Sequence, residues 1–415
     1  MDYFLLTSDA AHEAEALVHT LRESGSVSFP PSGEYPLSLL KEGNMLGVLI
    51  ARTKDGERKV LYGYSGALSG VYNIPGWVHT CFSEKDYEEY MGLYDRRIHE
   101  LTKMIDSGHD ELIEERRKLS EKAQLEYEKI FQLYTWRGDR IKGLPPHSPT
   151  GTGECAGLKL INTALKKGWE IRGLAEFRYS PSSESLIFCP PCTERCGLLL
   201  PEMLGLEYIY LDEAIAVVNK RPDFLSVPGR GEEKRDSVSY RFHELFPSSP
   251  EIAHVHRLDM DTSGILVLAF TPQAKKNLSL QFENREVEKT YIALLEGVIK
   301  EREGDISLPL RLDVDHRPMQ IVDFELGKSA LTHWERLSVE RHEGKLCTRV
   351  RFFPHTGRTH QLRVHAASGL GHPILGDNLY GRRSEGERLC LHAESITFTH
   401  PGTGKRISFH SDPEF

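Results

Sequence analysis

Three stretches of the 415-residue chain concentrate side chains able to do chemistry. The densest is His254-Val-His-Arg-Leu-Asp-Met-Asp-Thr-Ser-Gly264, which runs straight into Ile-Leu-Val-Leu-Ala. So apolar a run predicts a central strand, and the polar loop before it then sits at a sheet end, where clefts form. Asp259 lies between Arg257 and Asp261. To stay ionised in a cleft, its carboxylate needs a positive partner, and arginine is the side chain best suited to pair with it. Alone, the same residues would also serve as an ion pair in a turn.

The second stretch is Gly357-Arg-Thr-His-Gln-Leu-Arg-Val-His365, followed by Gly371-His-Pro-Ile-Leu-Gly-Asp-Asn-Leu-Tyr-Gly381. Between residues 341 and 370, six basic residues (Arg341, Lys345, Arg349, Arg351, Arg358, Arg363) face one acid, Glu343. In an acidic protein this is the charge footprint of a phosphate-backbone contact, although a solvated charged face has the same composition. The third stretch is Glu288-Lys-Thr-Tyr-Ile-Ala-Leu-Leu-Glu-Gly297. Period-two alternation along a strand puts Lys289 and Tyr291 on one side, where the tyrosine ring can stack on a base or join the core.

The elements that must position these groups are readable in outline. Residues 30–80 look β-rich, with GVLIART and KVLYGYS joined around Asp55-Gly56 as a hairpin. From 83 to 134 Gly and Pro almost vanish, and Met91, Tyr94, Ile98, Leu101 and Ile105 recur at helical spacing. SGHD at 107–110 breaks that helix, and Asp110 is placed to cap a second one. The result is a helical hairpin, a coiled-coil-like arm. Its alternating charges fit a packing arm, with RNA contact as the other reading. KGLPPHSPTGTG at 142–153 is a loop by composition. A helix over 154–167, a strand over 173–179 and a cysteine-rich turn at 189–196 follow. After residue 204 short strands (AIAVV, GILVLAF, YIALLEG) alternate with loops rich in Gly, His and Arg. The expected organisation is an α+β protein: a β-rich region 1–82, the hairpin 83–141, a cysteine-containing α/β region 142–203 packing with 1–82, and a domain over 204–415.

Length suits two domains of ordinary size. A net charge of −9 argues against blanket nucleic-acid affinity but allows a local basic groove. No apolar run approaches the ~18 residues of a membrane span. The start, MDYFLLTSDAAHEAEAL, has no basic leader. Seven cysteines are too few for a disulfide scaffold of this length, so a cytoplasmic protein with reduced thiols is expected.

HRLDMDTSG, EKTYIALLEG and GRTHQLRVHAASGLGHPILGDNLYG stand in the order found in RluA-type pseudouridine synthases, and residues 200–415 resemble that family. NKRPDFLSVPG at 219–229 is similar to the family's first motif, but Arg221 intervenes and Asp223 replaces a glycine. The resemblance implies a catalytic domain on a mixed, mostly antiparallel sheet with an RNA cleft. The implied enzyme is an isomerase, an intramolecular transferase that turns a specific uridine of rRNA or tRNA into pseudouridine without cofactor or metal. It implies Asp259 as the catalytic carboxylate, attacking C1′ or removing the C2′ proton. Arg363 matches the arginine paired with that aspartate, Tyr291 the ring stacked on the base, Leu362 the pocket wall, and Arg257 the arginine that holds the flipped-out arrangement. Lys289, Arg358 and His360 are further substrate-binding candidates. Flipping is a physical requirement, since C1′ cannot exchange N1 for C5 while the base is stacked. An RNA-binding protein that has kept the fold and lost turnover is the competing reading, supported by the altered 219–229 motif.

Four of the seven cysteines fall at Cys155, Cys189, Cys192 and Cys196. Four thiolates are the number tetrahedral zinc takes, and a structural zinc or a set of inert core thiols both fit the spacing. The order of elements here also resembles the zinc deaminase fold, in which a glutamate follows the first ligand by two residues. Gly157 stands in that place, which implies a relic without deaminase activity.

Overall fold

A computed structural model describes residues 5–183, 185–192, 194–384 and 386–415, without the side chains of Glu84 and Met91. The Met91 position of the expected helical stripe therefore lies outside the described side chains, as does the MDYF start. The chain divides into two compact units, residues 1–207 with 211–213, and residues 208–210 with 214–415.

The first unit is built on a four-stranded antiparallel sheet in the order Arg58–Tyr64, Met45–Arg52, Glu170–Arg178, Ile187–Phe188. Alternation along Met45–Arg52 splits its side chains between two faces. Leu46, Val48 and Ile50 join the helix Ser8–Ser24 in one core, through Ala10, Ala14, Leu17 and Leu21. On the other face Gly47 and Gly63 sit opposite each other in register. A Cβ on either would come within 2.9 Å of Leu160, so two missing side chains let the helix Ala156–Lys167 lie close on the sheet. The arm consists of Glu84–Tyr90, a π-helical turn Met91–Asp95, Arg96–Asp106 and Ile113–Ile130. Asp110 does not cap the last of these: it opens a 3-10 turn, Asp110–Leu112, and the helix starts at Ile113 with no side-chain cap. Rings anchor the arm, with Tyr127 5.2 Å from Tyr90 and 5.1 Å from Phe131 between centroids.

The second unit carries a sheet in the order Glu303–Ser307, Leu331–His342, Lys345–Pro354, Glu288–Glu296, Leu391–Thr399, Ser263–Ala269, Ile215–Lys220, Glu207–Leu211, the last contributing residues 208–210 to this unit. Arg406–His410 adds to Leu391–Thr399. Most of the pairings are antiparallel; Leu391–Thr399 runs parallel to Ser263–Ala269. Every residue of Ser263–Ala269 is buried, as its composition demands. At its start Gly264 has φ 109°, and a Cβ there would lie 2.4 Å from the Ala393 carbonyl oxygen. Only glycine permits this close approach of two main chains. The sheet is mixed and mostly antiparallel, with helices Val238–Leu245 and Pro272–Glu283 in the same unit. No described helix is long and apolar enough to cross a membrane.

Candidate active site

A cleft of about 1110 Å³ opens in the second unit, and Arg257, Asp259, Lys289, Tyr291, Arg358, His360, Leu362 and Arg363 all line it. Three segments far apart in sequence thus converge: the loop before Ser263–Ala269, the start of Glu288–Glu296, and the turn leading into the short helix Gln361–Val364.

The Asp259 loop is clamped by the 219–229 segment. Lys220, 1% exposed, donates to the carbonyls of Arg221 (3.0 Å), Phe224 (2.7 Å) and Met260 (2.9 Å). Ser226 Oγ donates to Leu258 O and accepts from Leu258 N–H. Both neighbours of Asp259 are therefore held, while its own carboxylate stays 27% exposed and faces the cleft. Burial pushes the Lys220 ammonium down to about 7, opposed by the charges of Asp259, Asp261 and Asp223. The altered motif keeps its backbone. Asp223 has φ 54°, the left-handed region where glycine is the usual residue and aspartate one of the few substitutes. Its carboxylate lies 3.6 Å from Arg383.

Arg363 differs from the expectation. Its hydrogen-bonded partner is Asp377, not Asp259: Nε and Nη2 donate to the two carboxylate oxygens at 2.9 and 2.6 Å, and Nη2 also donates to Asn378 Oδ1 at 3.0 Å. The physical reason is burial. At 2% exposure the planar guanidinium takes the bidentate acceptor that is itself buried, and Asp377 is 0% exposed. Burial opposes the Arg363 charge, but Asp377, Asp259 and Asp261 together outweigh it, and the net pKa shift is upward. Arg363 thus acts on Asp259 through its field. The closest cationic candidate to Asp259 is His360, whose Nε2 is 4.0 Å from Oδ1. Burial lowers the pKa of that imidazole, and its Nδ1 lies 2.8 Å from Tyr380 Oη.

Tyr291 lines the cleft with its hydroxyl pKa raised, chiefly by burial and then by Asp259, so it offers a neutral ring. Lys289, its pKa lowered by burial, reaches over Phe282 at 5.7 Å. Leu362 is buried, Arg257 exposed. Arg358 is partly exposed and donates to Ser329 O at 3.1 Å. The turn that carries these groups is fixed by Gln361, which accepts from Thr356 Oγ1 and Arg358 N–H and donates to Leu331 O and Thr332 Oγ1.

The charge footprint is smaller than the count suggested. Arg349 pairs with Glu340 and Arg351 with Glu394, so of the six basic residues only Arg358 and Arg363 reach the cleft. Asp377, Lys220 and Gln361 were not singled out as functional in the sequence. The only signal for Asp377 is an acid flanked by the turn residues Gly376 and Asn378.

The four cysteines do not all converge. Cys155, Cys192 and Cys196 bring their sulfurs together, whereas Cys189 Sγ is directed to Ile187 O at 3.7 Å. Its residue sits on the strand side of the turn, just after Ile187–Phe188, while the other two cysteines of the turn lie where it enters the helix Cys196–Leu204.

A mixed, mostly antiparallel sheet thus brings an aspartate, a buried arginine and a tyrosine together in one cleft. The RNA pseudouridylate synthase family matches residues 214–368. The dual-specificity RNA pseudouridine synthase RluA of Haemophilus ducreyi is 45% identical over 216 residues, covering 51% of this chain and 94% of that protein. Its namesakes in Yersinia pestis (46% over 210 residues, 50% and 98%) and Escherichia coli (44% over 218 residues, 52% and 96%) are similarly close. Among solved structures, human RNA pseudouridylate synthase domain containing 1 is similar at 30% identity and TM-score 0.43, over 51% of this chain and 84% of that one. The chain belongs to the RluA-type RNA pseudouridine synthases. It is an isomerase that converts uridine in RNA to pseudouridine.

Proposed function

We propose that Asp259 is the carboxylate that carries the isomerisation, acting on a uridine flipped into the cleft from rRNA or tRNA in the cytoplasm. The supporting observation is the convergence of Asp259, Tyr291 and Arg363 on one cleft from three separate segments. The Tyr291 ring takes the face of the base, Leu362 walls the pocket, and Arg257, Lys289 and Arg358 meet the phosphates beside the flipped nucleotide. The Asp259 carboxylate then attacks C1′ or takes the C2′ proton, and either role needs it ionised. Arg363, anchored by Asp377, stands beside it in the cleft. The C1′–N1 bond breaks, and the uracil, held by the ring, turns until C5 bonds to C1′ while Asp259 leaves C1′ or returns the C2′ proton; C5 then loses its proton and N1 gains one. No group outside the chain is needed for these steps. Like the relatives named dual-specificity, this chain accepts more than one RNA.

The competing view, a fold without turnover, rested on Asp223 and Arg221. Against it, Asp223 takes a left-handed conformation open to glycine and Lys220 binds the Met260 carbonyl beside Asp259, which supports an intact loop. Asp259→Asn is isosteric and removes only the carboxylate's charge and basicity. Pseudouridine formation in a stem-loop RNA should fall by about 10²–10⁴-fold or more while RNA affinity stays near that of the wild type. Wild-type turnover in the variant would remove Asp259 from the chemistry.

A further inference from the structure

The three converging cysteines lie in the first unit and take no part in isomerisation. Their sulfurs are all within 4.8 Å of one another. Zinc at ~2.3 Å from each thiolate of a tetrahedron sets sulfur–sulfur separations of roughly 3.8 Å, so closure onto a metal needs movements of about 1 Å or less. Two of the sulfurs stand at helix starts: Cys155 is the N-cap residue of Ala156–Lys167, and Cys196 is the first residue of Cys196–Leu204. Thiolates are favoured there by the helix dipole. Cys192 is held on the same turn, where Gly197 N–H donates to its carbonyl at 3.0 Å. Cys192 is exposed, Cys155 half-buried and Cys196 buried, so the cluster opens to solvent on one side.

Behind it stands a carboxyl group with no role in the cleft. Glu176, on the strand Glu170–Arg178, is buried, and Gly157 N–H donates to its Oε1 at 2.7 Å. A Cβ on Gly157 would lie 2.5 Å from Glu176 Oε2. The missing side chain two residues after Cys155 is therefore the space that the Glu176 carboxyl fills. The carboxyl group is near enough to interact electrostatically with both Cys155 and Cys196. Three sulfurs this close, two of them at helix starts, form a ready set of ligands for a divalent cation. Structural zinc sites close with four protein ligands, whereas reactive ones have three and leave a position for water. A carboxyl group beside that position, itself not a ligand, is the usual acceptor of the water's proton.

We propose that Cys155, Cys192 and Cys196 hold one zinc ion with a water as exchangeable fourth ligand, and that Glu176 hydrogen-bonds to that water. Gly157 is then no mark of a dead site, since the carboxyl group reaches the same place from the neighbouring strand. Cys189 is dispensable for the metal.

The full-length protein, purified without chelator, should carry about one zinc per chain by elemental analysis. Cys192→Ala should lose it and Cys189→Ala should keep it. With Co²⁺ in place of zinc, the visible spectrum should be tetrahedral, change saturably with added imidazole, and show a pH midpoint for the bound water. Glu176→Gln should retain Co²⁺ and move that midpoint by about one pH unit or more. Absence of metal from the wild type overturns the proposal. Loss of metal in Cys189→Ala, or a spectrum indifferent to imidazole, means a closed four-thiolate site and overturns the open one. An unchanged midpoint in Glu176→Gln removes the glutamate from it. None of these readings depends on isomerisation, so the two assignments fail separately.

Discussion

The Asp259 cleft and the cysteine cluster both gather reactive groups at the ends of secondary-structure elements, but they hold them in opposite ways. In the cleft each group is fixed by neighbours whose own bonds are complete: Lys220 on three carbonyls, Ser226 on both polar atoms of Leu258, Arg363 in the fork of Asp377. Around Cys155 three sulfurs face one another within 4.8 Å. The first arrangement is preorganised by the chain alone. The second is one that, on the proposal above, an ion would complete.

The contrast can be broken most directly at Arg363. Arg363→Ala and Asp377→Ala each deprive a buried charge of its bidentate partner; about 3–5 kcal/mol of stability should go, with activity falling alongside. Arg358→Ala, partly exposed, should stay within about 0.5 kcal/mol in urea unfolding. Equal, mild losses for Arg363→Ala and Arg358→Ala would mean that the cleft is not anchored as described. Next in size is Lys220→Met, which leaves three carbonyls without their donor and should cost about 1–3 kcal/mol. Because the Met260 carbonyl adjoins Asp259, kcat should drop more than KM rises. An unchanged ratio would confine Lys220 to stability.

A third test uses pH. Burial pushes His256 down to about 3 and His392 to about 4, and Val267 N–H donates to His256 Nε2, which requires that nitrogen unprotonated. Unfolded histidine titrates near 6.5, so below that pH the unfolded chain binds more protons than the folded one. Stability contributed by both residues is complete above about pH 6.5 and is lost as pH falls toward 3–4. The melting temperature should decline over that window, and His256→Gln should flatten the decline. The smallest effect belongs to Asp223→Gly. Relief of the positive φ and loss of a half-exposed ion pair should nearly cancel, leaving stability within about 1 kcal/mol and turnover unchanged. A large loss of turnover would give Asp223 a role of its own.

The ordered motifs made the cleft legible because each lies on one continuous segment. The buried strand Ser263–Ala269, the shared location of Lys289 and Tyr291 and the helix start beside Cys155 were all local patterns. What escaped was carried by contacts across loops. Asp377 answers Arg363 from 14 residues away after a turn. Glu176 reaches Gly157 from 19 residues away because a helix and a strand of one sheet layer bring them together. The basic run misled for a related reason. Arg349 meets Glu340 across neighbouring strands and Arg351 meets Glu394 over the intervening strand Glu288–Glu296, and pairing of that kind leaves no trace in a linear charge count.

Gly264 separates two kinds of constraint that a mutational survey would otherwise merge. With the Ala393 carbonyl oxygen 2.4 Å from where its Cβ would sit, any substitution there pushes one main chain against another, where Leu391–Thr399 runs parallel to Ser263–Ala269. A library selected only for soluble expression should therefore exclude replacements at Gly264 while accepting them freely at Asp259, five residues earlier. Selection for modified RNA should exclude both. The difference between the two selections would mark, position by position, where this loop serves the sheet and where it serves the substrate.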